Sequence, residues 1–397
     1  MKRIIFNGKN DCGRRCLKPL TLPFALLLAA FSAIAQNQPS PMKALSNASL
    51  ISPRAQVLVN QTWTNTSFAE GIAVLADRNE TKESRALAVE VLQSNRKKLN
   101  STEMSQLLNE TTAVAKDKTA DETLSAEAVR TMGNVALTMK ELGQISEADS
   151  KKETPFLMEA ATNAQGSLQF QASAINTLGI LDITESSSLL HKILEDNTNM
   201  NVPEISRPAC LSLMRIDGEK AIPTLRRVLQ NTTDSRVFGT AAFATGQIKT
   251  PDSLVALMDN QERFESSGSC DAVLVDMEDV ILGILKDPKD PNLESAIEAT
   301  RHLWRDGQRE RYIPLLESLV TIGPVSTRKA AIERFLEVAG QMDFDTEKIM
   351  LVDVQPAVAN QPELAEYAQR IKNRLSAVLL APTSGVQQMP TSKKGGN

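Results

Sequence analysis

The side chains that usually carry chemistry are sparse in this sequence. There are two histidines in 397 residues, His191 and His302. Nucleophile–base catalysis and most zinc or iron sites draw on several imidazoles, so this count disfavours hydrolase and metalloenzyme chemistry. Ser94-x-x-Lys97 and Ser326-x-x-Lys329 have the spacing that sets a lysine beside a nucleophilic serine on a helix. Neither is accompanied by Ser-Asp-Asn or Lys-Thr-Gly, and both read as chance matches in a chain rich in Ser and Lys. Asp271, Asp276, Glu278 and Asp279 are dense enough to suggest a divalent cation, but no Gly-bearing calcium loop surrounds them, and a charged helix face is expected. GxGxxG, P-loop, HExxH and CxxC patterns are absent. The sequence therefore predicts no catalytic residue, no cofactor and no metal ligand.

What remains is recognition. His191 and Lys192 are adjacent, and Arg226 and Arg227 follow one structural period later. On one face these four would make a basic patch suited to an acidic segment of a partner; solvated helix faces are the plainer reading. Arg301, Arg305, Arg309 and Arg311 surround Trp304, a residue type that anchors partners when buried at an interface. His191, Lys192, Arg226, Arg227 and Trp304 are the candidate partner-binding residues. Cys210 and Cys270 are the cysteines beyond the N-terminal segment. The repeat register sets them about two units apart, roughly 20 Å if helices stack at 8–10 Å. A disulfide needs Cα atoms within about 7 Å, so two separate buried thiols are expected.

The elements that position these residues are amphipathic helices. Aromatic residues are 4% of the chain, and no segment alternates with period two for long enough to build a sheet. Phe170 to Asp182 is an Ala-rich helix, and Ser186 to Glu195 is a Leu-rich one. The same pair recurs at Pro208–Ile216 with Ala221–Leu229, and at Val237–Ile248 with Ser253–Met258. Gly133, Gly179, Met214, Gly246 and Gly283 take one position near the ends of successive first helices, at spacings of 46, 35, 32 and 37 residues. Leu190, Leu225 and Leu254 correspond in the second helices. Two helices per period of this length is the pattern of an α-solenoid, in which pairs stack because one pair cannot bury both apolar faces. A glycine or alanine near the end of a first helix lets the next unit approach closely.

An Ala-rich first helix, Leu-Gly or Thr-Gly near its end, a short turn and a Leu-rich second helix resemble the HEAT-repeat family. The similarity is to the short bacterial and phycobilisome-lyase-type repeats. Lys220-Ala221-Ile222-Pro223-Thr224-Leu225 and Tyr312-Ile313-Pro314-Leu315-Leu316 carry it best, with proline in the first turn of the second helix. It covers about residues 120–340, with Glu83–Ser94 and Met104–Val114 as a further pair and 345–380 as a terminal cap. The resemblance implies second helices lining a concave binding face. It also implies that such a fold can handle a tetrapyrrole, which an acidic exported chain without a clear thiol site suits poorly. The 46-residue step after Gly133 and the loop Glu262–Ser269 depart from the pattern.

The ends of the chain read differently. Residues 1–35 join a basic stretch to an apolar run ending in Ala33-Ile34-Ala35, the pattern of a cleaved signal peptide. A retained N-terminal anchor is the alternative. Residues 36–65 read as a flexible leader, 66–380 as the helical repeat domain, and 381–397 as a disordered tail. Residues 1–35 hold six basic and one acidic residue of the 44 and 48 in the chain, leaving 38 against 47 and a net charge of −9. That balance disfavours nucleic acid and anionic membranes as partners. The seven Asn-x-Ser/Thr sites are acceptors only in a eukaryotic secretory route.

The expectation is an all-α solenoid of stacked antiparallel helix pairs, exported to the periplasm or the cell exterior. It would act as a scaffold that binds a protein partner, without catalysis, cofactor, nucleic acid or membrane insertion. The alternatives are an accessory enzyme or lyase-type factor of the same fold, and a self-associating envelope protein.

Overall fold

The structure, a computed structural model, describes residues 51–60, 65–163, 166–303 and 309–380. Within them it is helical throughout, with no strand. The helices are α1 (Pro53–Asn60), α2 (Asn65–Ala76), α3 (Lys82–Ser94), α4 (Ser101–Lys116) and α5 (Glu122–Glu141). The one-turn α6 (Glu147–Ser150) leads to α7 (Thr154–Thr162), α8 (Leu168–Ile180) and α9 (Ser187–Glu195). After the short α10 (Asn197–Met200) come α11 (Pro203–Asp217), α12 (Ile222–Asn231), α13 (Ser235–Ile248) and α14 (Pro251–Met258). Three short helices follow: α15 (Gln261–Ser266), α16 (Cys270–Asp276) and α17 (Glu278–Leu285). The C-terminal part holds α18 (Leu293–Ala299), α19 (Arg309–Thr321), α20 (Val325–Ala339), α21 (Phe344–Ala359) and α22 (Ala365–Leu380).

They stack in two layers. The first layer passes from α3 through α5, α8, α11 and α13 to α16, and resumes with α18 and α20; each packs on the one before within these two runs. The second layer runs α9, α12, α14, α17, α19 and α21 in the same way. A single apolar core extends from Ala55 to Val378. This is the solenoid of antiparallel helix pairs that the periodicity predicts. Leu190, Leu225 and Leu254 are fully buried at equivalent places in the second layer, each contributing about 2 kcal/mol of transfer free energy.

Local chemistry sets the helix starts. Asn100 and Glu103 form a reciprocal capping box at the start of α4, and Thr250 and Ser253 form one at α14. Asp121 and Asp234 accept from the first backbone amides of α5 and α13. Pro223 lies in the first turn of α12, as the motif requires. Pro314 does not: α19 starts at Arg309, and the proline sits inside the helix. There it gives up its hydrogen bond to the carbonyl four residues earlier, one turn from the helix start.

The glycine register holds in three places. A Cβ on Gly133 would lie 2.6 Å from Thr177 Cγ2, one on Gly179 would lie 2.6 Å from Ser212 Cα, and one on Gly246 would run into Val273. The Thr177 methyl, with its hydroxyl beside it, fills the space Gly133 leaves, and the Ser212 hydroxyl fills that of Gly179. Thr177 donates to Val129 O at 3.3 Å and Ser212 to Ile175 O at 2.9 Å, in each case the carbonyl four residues before the glycine. Gly283 breaks the series. It lies exposed on α17, a second-layer helix, with open space where a Cβ would be. The register slips because Glu262–Ser269 is not a plain loop. Phe264 is fully buried there and folds α15 around itself. Arg263 stacks on Phe238, 4.4 Å from the ring centre, and donates to Leu229 O and Thr232 O at the end of α12.

The array also begins before residue 66. Within the segment read as a flexible leader, Pro53–Asn60 is helical and buries Ala55 and Leu58. Residues 1–35, read above as a signal peptide, residues 381–397, read as a disordered tail, and Trp304 lie outside the described residues. No helix among the described residues is long and apolar enough to cross a membrane.

Candidate functional site

Four of the five predicted partner-binding residues meet on the second layer. Leu190, Ile193 and Leu194 pin one side of α9 to the core, which leaves His191 half-buried and Lys192 exposed. Leu225, Val228 and Leu229 do the same for α12, and Arg226 and Arg227 lie on its outer side. Each of the two arginines crosses a repeat boundary. Arg227 Nη2 donates back to Glu195 O of α9 at 3.3 Å, and Arg226 pairs forward with Asp259 just past α14. The result is a strip of charge over three consecutive helices.

His191 sits at the inner edge of this strip. Its Nε2 lies 2.8 Å from Asp217 Oδ2 and its Nδ1 2.7 Å from Thr224 Oγ1, while Ser187 Oγ donates to the same carboxylate oxygen at 2.7 Å. The carboxylate can only accept, so Nε2 carries a proton; in the neutral ring Nδ1 then accepts from Thr224. A hydroxyl, an imidazole and a carboxylate in line are the parts of a nucleophilic triad. Here Thr224 is only 6% exposed, in the first turn of α12. The chain of bonds fastens α9 to α12 and does not present an attacking oxygen.

The first layer carries a second polar surface. A groove of about 440 Å³ runs across α18, α20 and α22, lined by Arg301, Arg334, Arg370 and Arg374 with Glu298, Glu333 and Glu337 between them. Arg334 is 4% exposed, pairs with Glu298 at 2.9 Å and also reaches Glu337. Arg370 holds Glu333 through both carboxylate oxygens, which keeps that carboxyl below the usual glutamate range. Arg374 donates to Glu347 at 2.5 Å and to Leu336 O at 2.9 Å. Arg301 closes the near end, 3.4 Å from Glu298 and 3.6 Å from Glu265.

The acidic group Asp271, Asp276, Glu278 and Asp279 does not converge. Asp271 opens α16 and turns to His302, Asp276 accepts from Gln247 at 2.8 Å, and Glu278 and Asp279 belong to α17. Both cysteines are free and buried, on α11 and α16, as the register predicts. Burial pushes each thiol up to about 12, helped at Cys270 by Asp271 and Glu265. Ser94 ends α3 and Lys97 lies in the following turn, so this pair straddles a helix end; Ser326 is exposed at the start of α20. The juxtaposition of His302 with Asp271 and Glu265 had no sequence signal. Their separations of 31 and 37 residues are close to one repeat, which is the only hint.

No protein-family model matches the chain, and no curated protein matches it. Among solved structures it is similar to the complex of CpcE and CpcF of phycocyanin lyase from a Nostoc species. The identity is 16% and the TM-score 0.37, over 80% of this chain and 96% of that one. It is also similar to human deoxyhypusine hydroxylase in complex with glycerol, at 13% identity and a TM-score of 0.29, over 79% and 96% of the two chains. An engineered protein aligns at 16% identity with a TM-score of 0.25, over 79% and 98%. The first two are HEAT-like helical repeat proteins.

Proposed function

We propose that this chain is an exported, non-catalytic scaffold whose second layer binds an extended segment of a protein partner. The observation that carries this is the strip over α9, α12 and α14. Lys192, Arg226 and Arg227 lie along it, and Arg227–Glu195 and Arg226–Asp259 contacts tie its helices together. Such a surface is formed before the partner arrives, so little side-chain order is lost on binding. Exposed pairs such as Arg226–Asp259 contribute at most about 1 kcal/mol, and a partner carboxylate can exchange with Asp259 at small cost. A partner with acidic residues at helix-stacking intervals of about 10 Å fits the strip.

The test is a crosslinking pull-down with the full chain, tagged at its C-terminus and expressed behind its own N-terminal segment. An Arg226→Glu/Arg227→Glu variant serves as the comparison. A stoichiometric protein lost in the variant is the expected result. A partner retained by the variant removes the strip from the reading, and recovery of the bait alone removes the stable scaffold. One observation favours a second reading, self-association through the C-terminal end: Ile349 and Val352 on α21 are 61% and 47% exposed, one turn apart on the last helix of the second layer.

A further inference from the structure

Where the array is irregular, three elements bring different metal-ligating groups together. Cys270 and Asp271 begin α16, His302 lies on the 3₁₀ turn Thr300–Leu303 that continues α18, and Glu265 lies on α15. One donor atom from each of Cys270, Asp271 and His302 lies within 4.8 Å of the other two. His302 Nδ1 is 2.8 Å from Asp271 Oδ1, and its Nε2 is 3.4 Å from Glu265 Oε1.

We propose that Cys270, Asp271 and His302 form a zinc-type divalent metal site, with Glu265 orienting the imidazole. A thiolate, an imidazole and a carboxylate suit zinc(II), whereas calcium and magnesium take oxygen ligands. Zinc bond lengths of about 2.0–2.3 Å put ligand atoms roughly 3.3–3.8 Å apart in a tetrahedron. His302 Nδ1 and Asp271 Oδ1, at 2.8 Å, must open by about 0.5 Å, and a pair at the 4.8 Å limit must close by about 1 Å; the Asp271 side chain, 73% exposed, has room to turn. That exposure also supplies the entry path and leaves the fourth position to water.

Glu265 completes the arrangement from behind. Metal ligation by Nδ1 leaves Nε2–H facing the Glu265 carboxylate, the usual partnership that fixes the tautomer of a ligating histidine. Glu265 is itself held by Gln261 Nε2 at 2.8 Å, with Arg301 nearby at 3.6 Å. An ion here joins α15, α16 and the turn after α18, the stretch in which the first layer is most broken.

The probe is cobalt(II) titrated into the chelator-treated full chain, with Cys12 and Cys16 replaced by serine so that no N-terminal thiol contributes. One cobalt per chain is expected, with a near-ultraviolet thiolate charge-transfer band that one equivalent of zinc abolishes. Cys270→Ser should lose the band, while Cys210→Ser should keep it. His302→Gln should weaken zinc binding at least tenfold, and Glu265→Gln about 10- to 100-fold. Absence of the band before any of these further changes overturns the site, and that spectrum does not depend on whether a variant folds. A band that survives Cys270→Ser overturns it equally.

Discussion

Single residues record how much the packing tolerates. Glu90 on α3 has a carboxylate oxygen buried without a hydrogen-bond partner. Burial pushes its carboxyl up, the Glu127 charge adds to this, and Arg130 opposes it. The folded value therefore lies above the unfolded one, near 4.3 for an ordinary glutamate. Below that value both states hold the proton and nothing is lost. As pH rises through the folded value, the unfolded state is already ionised and the native state must follow, so stability falls. Glu90→Gln removes the titration. Its melting temperature should gain on the parent's as pH rises from about 4 to 8, and a difference that stays constant with pH would contradict this account. Nothing in the local sequence singles out Glu90, because α5, with Glu127 and Arg130, is what packs beside it.

Helices are spaced by their smallest residues. Gly179 lets α11 approach α8 until Ser212, its side chain and its Cα alike, lies within 2.6 Å of where a Cβ would be. Gly179→Ala gains about 0.5–1 kcal/mol of helix propensity but forces the helices apart, a cost of about 1–3 kcal/mol for overpacking. Gly283→Ala, at an exposed position of α17, meets nothing and should stabilise by about 0.5–1 kcal/mol. Thermal melts of the two variants should move in opposite directions; equal shifts would mean that Gly179 does not set the spacing. Both glycines occupy one column in the sequence. The period placed Gly133, Gly179 and Gly246 correctly because each lies where one first-layer helix packs on the next. It misplaced Gly283 because the fully buried Phe264 turns an apparent loop into α15 and shifts everything after it.

At the scale of the whole molecule, each unit of a stacked array is stabilised by its neighbours, and terminal units need a polar outer face to remain single. The C-terminal pair departs from that rule at Ile349 and Val352. If this end pairs with a second copy, sedimentation velocity should show a concentration-dependent dimer, and Ile349→Lys/Val352→Lys should return it to monomer. A parent chain that sediments as a monomer at every concentration would end the self-association reading without touching the second-layer strip.

The sequence by itself determined the helical class, the two-layer repeat, the buried Leu190, Leu225 and Leu254, and the two unpaired cysteines. These follow from local periodicity, which a helix converts directly into a buried face. It also grouped His191, Lys192, Arg226 and Arg227, since one repeat length separates them along the chain. Only the tertiary structure decided what those side chains do. Whether Arg226 faces open solvent or Asp259, and whether His191 is a free base or a fastening between Thr224 and Asp217, depends on where the neighbouring repeat places its polar groups. The Cys270–Asp271–His302 cluster shows the same limit most sharply. Its members share no local pattern, and meet because an irregular unit folds α16 against the turn after α18.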